Sequence, residues 1–593
     1  MLLLAATGLA GCAAQTRLHL VAREGAGGEA EEEAWREDPR LYAVPGQPTP
    51  ANLAPGTDIG LGGTNEPALA IDPGNPLRLA YASAIQLRVS VDGGASFAPD
   101  VWAQVPANHN WAGDSQVAYD SQGRLFWVYI GFSAGGGTDL LLARCDPTSG
   151  QILPGYPISI TESAGLNRPG ASGLFHDKEW LAIDTWPASP YRDRIHIAWV
   201  EIPVDGSPRH ISTTHSDDQG ATWSQLVALS QPSDGYVQVA SNAVAPDGDV
   251  YVAYHSQAVR IGRSPDGLSG KTVLLRSADG GVTFPDRREP FAAGSSDITF
   301  NFQNEVGPIP GAPFLTLGSL QVAIVPDPLV PDRVLVFAVD DPDNDHTSGD
   351  DSHVYMAESL DDGRNFAAPR RIDQGSAGTY QVFPMAIADA HSGQIVVVYY
   401  DNRRGVKNTS GDDLLDLWMA RSVDGGRNWG PEVQVNDLPF DTRVGAPVYD
   451  NGPPATLRMG EYVGLAALDC IAHVVWTGNT RSPGGAPLGQ QSVFDRVDDR
   501  LTTGTLANRL RAVRRGLDVE LSWPAFAVEP PRYNLHRTAD KSELDRLNYL
   551  APAINVDAIG SGGWTDVGAA PVLPTLLLYE VQPRKCDGSS AIE

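Results

Sequence analysis

Basic side chains are scarce in this chain: 43 Lys and Arg stand against 72 Asp and Glu, for a formal net charge of -29. A surface of that sign repels phosphate backbones and argues against nucleic acid as a partner. Apolar runs of membrane-spanning length are missing as well, so no segment reads as a transmembrane helix. Cysteine is rare, with only Cys12, Cys145, Cys470 and Cys586. Their wide, irregular spacing gives neither a zinc motif nor a disulfide framework, and it leaves open which pair, if any, is bridged.

Gly (62) and Pro (46), in contrast, are plentiful and spread through strand-like segments, which suits an all-β protein rich in turns. At 593 residues the chain can hold more than one domain. Residues 1–12, "MLLLAATGLAGC", resemble a bacterial lipoprotein signal ending at the acylated Cys12, the alternative being an ordinary secretory segment with a chance cysteine. The missing basic n-region suggests a true start upstream of Met1. Lipidation would anchor the protein firmly, each buried CH₂ contributing about 0.8 kcal/mol. Residues 13–61 are rich in Glu, Gly and Pro without hydrophobic periodicity, and read as a disordered tether.

From residue 62 to about 500 one pattern repeats. Ser, Asp, Gly and an aromatic recur at offsets 0, 2, 4 and 7 in five places. They are Ser90, Asp92, Gly94 and Phe97; Ser216, Asp218, Gly220 and Trp223; Ser277, Asp279, Gly281 and Phe284; Ser359, Asp361, Gly363 and Phe366; and Ser422, Asp424, Gly426 and Trp429. Each follows an apolar strand, a turn and a second strand rich in Val and aromatics. Ser216 and Ser277 lie 61 residues apart, and Ser359 and Ser422 lie 63 apart. Asp146 and Gly150 look like a decayed copy, and a last unit around "EYVGLAALDCIAHVVWTGN" has none. A period of this length with several short strands predicts a β-propeller of four-stranded blades. Seven units are counted, with six as the alternative, and the segment near "TDIGLGG" is expected to supply the last blade's fourth strand. Within each turn the Asp is expected to accept backbone N–H groups and the Gly to supply a positive φ. The aromatic is expected to fill a gap between strands three and four. An active-site loop is needed once, so five copies point to architecture.

This repeat is the Asp-box, and the stretch 62–500 resembles the sialidase (neuraminidase) superfamily of propellers. The resemblance implies boxes far from the central cleft, and a glycan or cell-surface ligand. Residues 503–593, with "GLDVELSWPA" and "TLLLYEVQPRKCDG", resemble a fibronectin type III module, a small β-sandwich. Sialidases carry an Arg-Ile-Pro segment, an arginine clamp for the sugar carboxylate, an Asp acid/base and a Tyr–Glu nucleophile pair. The first repeat here reads "TNEPALAIDP", without Arg-Ile-Pro.

Candidate catalytic residues are Arg458, Glu461 and Tyr462 in "RMGEYVG", Arg403 in "YYDNRRG", and Asp177 in "HDKEW". Against each stands a structural reading: a buried Tyr with a solvated Glu, an Asp–Arg loop salt bridge, and a solvated charged turn. Asp341, Asp343 and Asp345 alternate in "DDPDNDHTSGDD", which suits either Ca²⁺ or a solvated acidic loop. Taken together, the sequence favours an exported, membrane-anchored lipoprotein of a bacterial cell envelope, monomeric by default. Its propeller would bind glycans or a surface partner without chemistry. The alternative is a divergent exo-sialidase or related glycoside hydrolase acting on glycan chains.

Overall fold

The computed structural model describes residues 58–62, 66–133, 137–162, 164, 173–257, 271–292, 322–330, 332–340, 352–376, 378–423, 425–430, 432–445, 448–449, 456–457, 459–460, 462–480 and 489–498. It also describes the strands 17–20, 511–515, 518–522, 533–538, 553–558, 564–566 and 577–583. The 82-residue gap between Ser277 and Ser359 implies an insertion, read from the sequence as residues 295–313, and that stretch lies outside the described residues.

Seven four-stranded antiparallel sheets form a β-propeller. Blade 1 is Pro67–Asp72, Asn75–Ser83, Gln86–Ser90 and Val101–Trp102, and blade 2 is His109–Tyr119, Leu125–Ser133, Thr138–Cys145 and Ile158–Ser159. Blade 3 is Leu174–Ile183, Ile195–Pro203, His210–Ser216 and Val227–Ala228, and blade 4 is Tyr236–Val244, Val250–Gln257, Lys271–Ser277 and Asp286–Arg288. Blade 5 is Ala323–Pro326, Val334–Asp340, His353–Ser359 and Arg370–Arg371, and blade 6 is Gln381–Ala388, Ile395–Asp401, Asp416–Ser422 and Val433–Gln434. Blade 7 takes Gly464–Leu468, Ile471–Gly478 and Gln491–Asp498 from the end of the repeat region. Its fourth strand is Ile59–Gly62, paired antiparallel to Gln491–Asp498. The first strand of each blade touches the first strand of the next, and that of blade 7 touches that of blade 1. The expected count of seven and the closing strand are both present.

The core lies in the seams between blades, because alternate residues of a strand face opposite sides of its sheet. In "IHIAWV", Ile195, Ile197 and Trp199 enter the apolar cluster shared with blade 2. Ala198 and Val200, on the other side, enter the cluster shared with blade 4. A blade so built has two apolar faces and is stable only between neighbours. Leu61 of the closing strand joins Leu79, Val475 and Phe494 in the seam that shuts the ring. Cys145 is a buried free thiol in the first seam, raised to about 12 by burial, whereas Cys470 is disulfide-bonded.

The repeated turn clips these seams. The Ser hydroxyl donates to Asp Oδ1 at 2.8, 2.9, 2.6 and 2.9 Å from Ser90, Ser216, Ser277 and Ser359. The Gly amide donates to that hydroxyl at 2.8–2.9 Å in all five turns. Asp424 lies outside the described residues. A position the sequence reading missed, offset 6, completes the motif. Ser96, Thr222, Thr283 and Asn365 donate a backbone N–H to Oδ1 at 2.8–2.9 Å and a side-chain group to Oδ2 at 2.6 Å. At Gly220 φ is +87°, and a Cβ would come within 2.1 Å of buried Leu142 in the preceding blade. Gly94 meets Phe494 in the same way at 2.4 Å. The aromatics also pack on the preceding blade rather than only between strands three and four. Phe97 meets Phe494 edge-on at 5.0 Å, and Trp223 joins the blade 2 seam.

Side-chain hydrogen bonds from Ser96 and Asn365 lead in holding Asp92 and Asp361 below the usual carboxylate range. Burial pushes Asp218 and Asp279 upward, but hydrogen bonds from the Ser and Thr of the turn outweigh it, leaving Asp279 at about 2. A depressed folded pKa gives stability that is present above the unfolded value and lost as pH falls through the folded one. The temperature of thermal unfolding is therefore expected to fall as pH drops from about 4 to about 2. Asp218→Ala, which strips three hydrogen bonds, is expected to cost about 1–3 kcal/mol in denaturant unfolding at neutral pH and less at acid pH.

Outside the propeller, one sheet joins Arg17–Leu20, Leu577–Pro583, Tyr533–Thr538 and Ala553–Ala558, and another joins Arg511–Arg515, Asp518–Ser522 and Trp564–Asp566. Arg17–Leu20 falls inside the stretch read as an unstructured tether. Its pairing is with Leu577–Glu580, a partner more than 500 residues away that local composition does not reveal.

Candidate active site at the centre of the ring

Each inner strand runs from one face of the ring to the other, the second returns and the third repeats the first direction. The starts of the inner strands therefore share a face with the loops between second and third strands. The Ser-Asp-Gly turns, which follow the third strands, lie on the opposite face. On the first face, four successive blades converge. Blade 7 contributes Tyr462, blade 1 Glu66, blade 2 Asp114, and blade 3 Asp177, Lys178 and Glu179. Local backbone irregularity places them. Register shifts interrupt the inner strands between Gly113 and Gln116 and between Asp177 and Trp180. Glu66, Asp114 and Lys178 have φ of 72°, 39° and 56°, values that side chains with a Cβ adopt reluctantly. Bulges of this kind re-aim side chains, and strain of this kind concentrates at functional sites.

Lys178 Nζ lies 3.6 Å from Glu66 Oε1 and 5.2 Å from the centre of the Tyr462 ring. The Trp180 ring lies 6.1 Å from the same tyrosine. Glu66, Lys178, Glu179 and Tyr462 are buried, while Asp114, Asp177 and Trp180 keep part of their surface in solvent. Neither carboxyl oxygen of Glu179, nor the Tyr462 hydroxyl, finds a hydrogen-bond partner in another described residue.

Burial pushes the Asp114 carboxyl well above its usual range, and the Glu66 carboxylate beside it pushes further, against the opposing pull of Lys178. Glu179 is raised for the same reason, burial first and then the charge of Asp114. The Tyr462 phenol is likewise raised well above its ordinary value by burial and by the four surrounding carboxyl groups, Asp114 foremost. It is therefore a neutral hydroxyl and a hydrogen-bond donor. Two carboxyl groups held well above the usual carboxylate range, beside the half-buried Asp177, make a site suited to giving and accepting protons.

The structure brings Asp177 and Tyr462 together and leaves the other candidates elsewhere. Arg403 donates from Nε to Asp401 Oδ2 at 2.7 Å, pairs with Glu432 and stacks over Trp418 at 4.2 Å, all within blade 6. The structural reading of that loop, a salt bridge, is what its geometry shows. His176, next to Asp177, accepts from Trp199 Nε1 at 3.0 Å and is pushed to about 4 by burial. Arg458 and Glu461 lie outside the described residues, as do Asp341, Asp343, Asp345 and Cys12. Among the described residues, the cation beside these carboxyl groups is Lys178.

Glu66 and Asp114 were missed from sequence, although a signal existed. "EPALAID", "DSQVAYD" and "KEWLAID" align without gaps, so that Glu66, Asp114 and Lys178 share one register, four residues before the Ala. A charged residue at that one position in three blades is what a shared site requires.

No protein-family model matches the chain, and no curated protein matches it. Among solved structures it is similar to the Hadza microbial sialidase Hz136, at 11% identity over 71% of this chain and 76% of that one, with a TM-score of 0.37. It is similar also to the BP39L lectin from Burkholderia pseudomallei, at 13% identity over 72% and 99%, with a TM-score of 0.41. A third is an alpha-L-arabinanase of Penicillium chrysogenum complexed with arabinobiose, at 14% identity over 66% and 95%, with a TM-score of 0.38. Likeness at this level leaves the site to be read from its own residues.

Proposed function

We propose that the protein is a glycoside hydrolase acting on a glycan without a carboxylate group. The observation that supports this reading is Asp114, a half-buried residue whose carboxyl is held well above the usual range by burial and by Glu66, close enough to the half-buried Asp177 of the next blade to feel its charge. Asp114 would donate its proton to the glycosidic oxygen as the bond from the anomeric carbon to that oxygen breaks. Asp177 would take a proton from the water that attacks the anomeric carbon, or itself attack first and be released by water. The Tyr462 hydroxyl would donate to a sugar oxygen.

Missing Arg-Ile-Pro and arginine clamp made a non-catalytic binder the favoured reading from sequence. A clamp of that kind bears on the sugar's charge rather than on cleavage itself. Among the described residues, four carboxyl groups are answered by one lysine, already beside Glu66, and that balance disfavours a carboxylate-bearing sugar such as a sialoside. Purified protein is expected to release aglycone from at least one member of a panel of neutral nitrophenyl glycosides and none from a fluorogenic sialoside. Cleavage of the sialoside alone, or of nothing in the panel, would refute the proposal.

In the same reading Cys12 carries a lipid anchor and residues 503–593 form a fibronectin type III-like spacer. Labelled palmitate is expected to enter the protein in a bacterial host and to be lost in Cys12→Ala; equal labelling of both would exclude the anchor.

A further inference from the structure

Beside the carboxyl cluster, on the same face, lies an aromatic stack that the proposed chemistry does not use. The indole of Trp111 lies flat on Phe132, with ring centres 3.6 Å apart and planes 5° from parallel. Phe132 in turn meets Phe175 edge-on at 5.7 Å. Trp111 and Phe175 belong to the starts of the inner strands of blades 2 and 3, and Phe132 to the end of blade 2's second strand. Trp111 is 57% exposed, an unusual place for a large apolar side chain already fixed by a stacking partner. Gly113 keeps the stack close, for a Cβ there would come within 2.9 Å of the Phe132 ring. The strand start is itself anchored, because His109 Nε2 pairs with Asp139 at 2.8 Å and Thr161 Oγ1 donates to Asp139 at 3.0 Å.

We infer that Trp111, braced by Phe132 and Phe175, is a platform on which one sugar ring of a neutral oligosaccharide stacks, one or two units from the bond at Asp114. This inference rests on the proposed function for its position relative to the cleaved bond. The apolar face of a sugar ring presents C–H bonds with partial positive charge to the negative face of the indole. A rigid, pre-stacked ring loses little conformational freedom on binding. Asp114 follows Trp111 by three residues, roughly 10 Å along an extended strand, and Asp177 follows Phe175 by two. The platform therefore flanks both carboxyl groups, and the ligand class it implies is a chain rather than a single glycoside.

The test uses calorimetry on the Asp114→Asn protein with cello-, xylo-, malto-, manno- and arabino-hexaose. At least one is expected to bind, and adding Trp111→Ala is expected to weaken it about tenfold, with Trp111→Phe restoring most of the loss. In the catalytically intact protein, Trp111→Ala is expected to lower kcat/KM more on that hexaose than on its nitrophenyl monoglycoside. Binding of no hexaose, or equal binding with and without Trp111, overturns the platform even if monoglycosides are cleaved. Trp111-dependent binding in a protein that cleaves nothing upholds the platform and removes the hydrolase reading.

Discussion

Asp114→Asn is expected to lower kcat on neutral aryl glycosides by about 10²–10⁴-fold. The amide keeps the size of the carboxyl and cannot donate a proton in the same way. The loss should depend on the leaving group: nitrophenyl glycosides need little protonation and should suffer least, while natural sugar leaving groups should suffer most. The pH profile gives a second readout. Asp114 is raised above the usual carboxylate range by burial, so its acid form survives to higher pH and activity falls as pH rises through that raised value. In Asp114→Asn this upper limb should vanish while the lower limb, from protonation of the base, remains. Equal losses on all leaving groups with an unchanged upper limb would assign the proton donor to another residue, Glu179 being the nearest alternative.

Arg403→Met is expected to destabilise the protein by about 3–5 kcal/mol, read as a shift in the denaturant midpoint. Asp401 and Glu432 are both buried, and each pairs with this guanidinium. Methionine keeps an apolar body over Trp418 but leaves two carboxyl groups in a low-dielectric seam without their cation. Burial already raises both carboxyls despite the arginine. Without it their folded pKa values climb further. A raised folded pKa means that stability is present at low pH and lost as pH rises through the folded value. The penalty in Arg403→Met should thus be largest at neutral pH and shrink on acidification. A small loss, flat with pH, would show that the pair contributes little and would reopen Arg403 for a role toward ligand.

The fold was legible because its instructions are local and repeated. Ser216, Asp218, Gly220 and Trp223 recur in register with four other sets, and each set closes its own turn within eight residues. The ring closure was legible too, since Ile59–Gly62 supplies the strand that the last unit lacked. Legibility ended where distant segments meet. Tyr462 and Asp177 were named separately, and nothing in their neighbourhoods showed that a closed ring brings blade 7 against blade 3 through Glu66 and Asp114. Those two acids share only a register with Lys178, and their positive-φ backbone has no composition signature. Arg403 shows the converse: a loop rich in chemistry whose partners, Asp401 and Glu432, use up its charge.

The central claim is that Asp114 holds its proton well above the usual carboxylate range. Infrared difference spectroscopy between the wild-type protein and Asp114→Asn at pH 7 measures this directly. A carboxylic acid carbonyl band present only in the wild type is the expected result. If the wild type shows instead only additional carboxylate bands, Asp114 is ionised and the proposed proton donor does not exist.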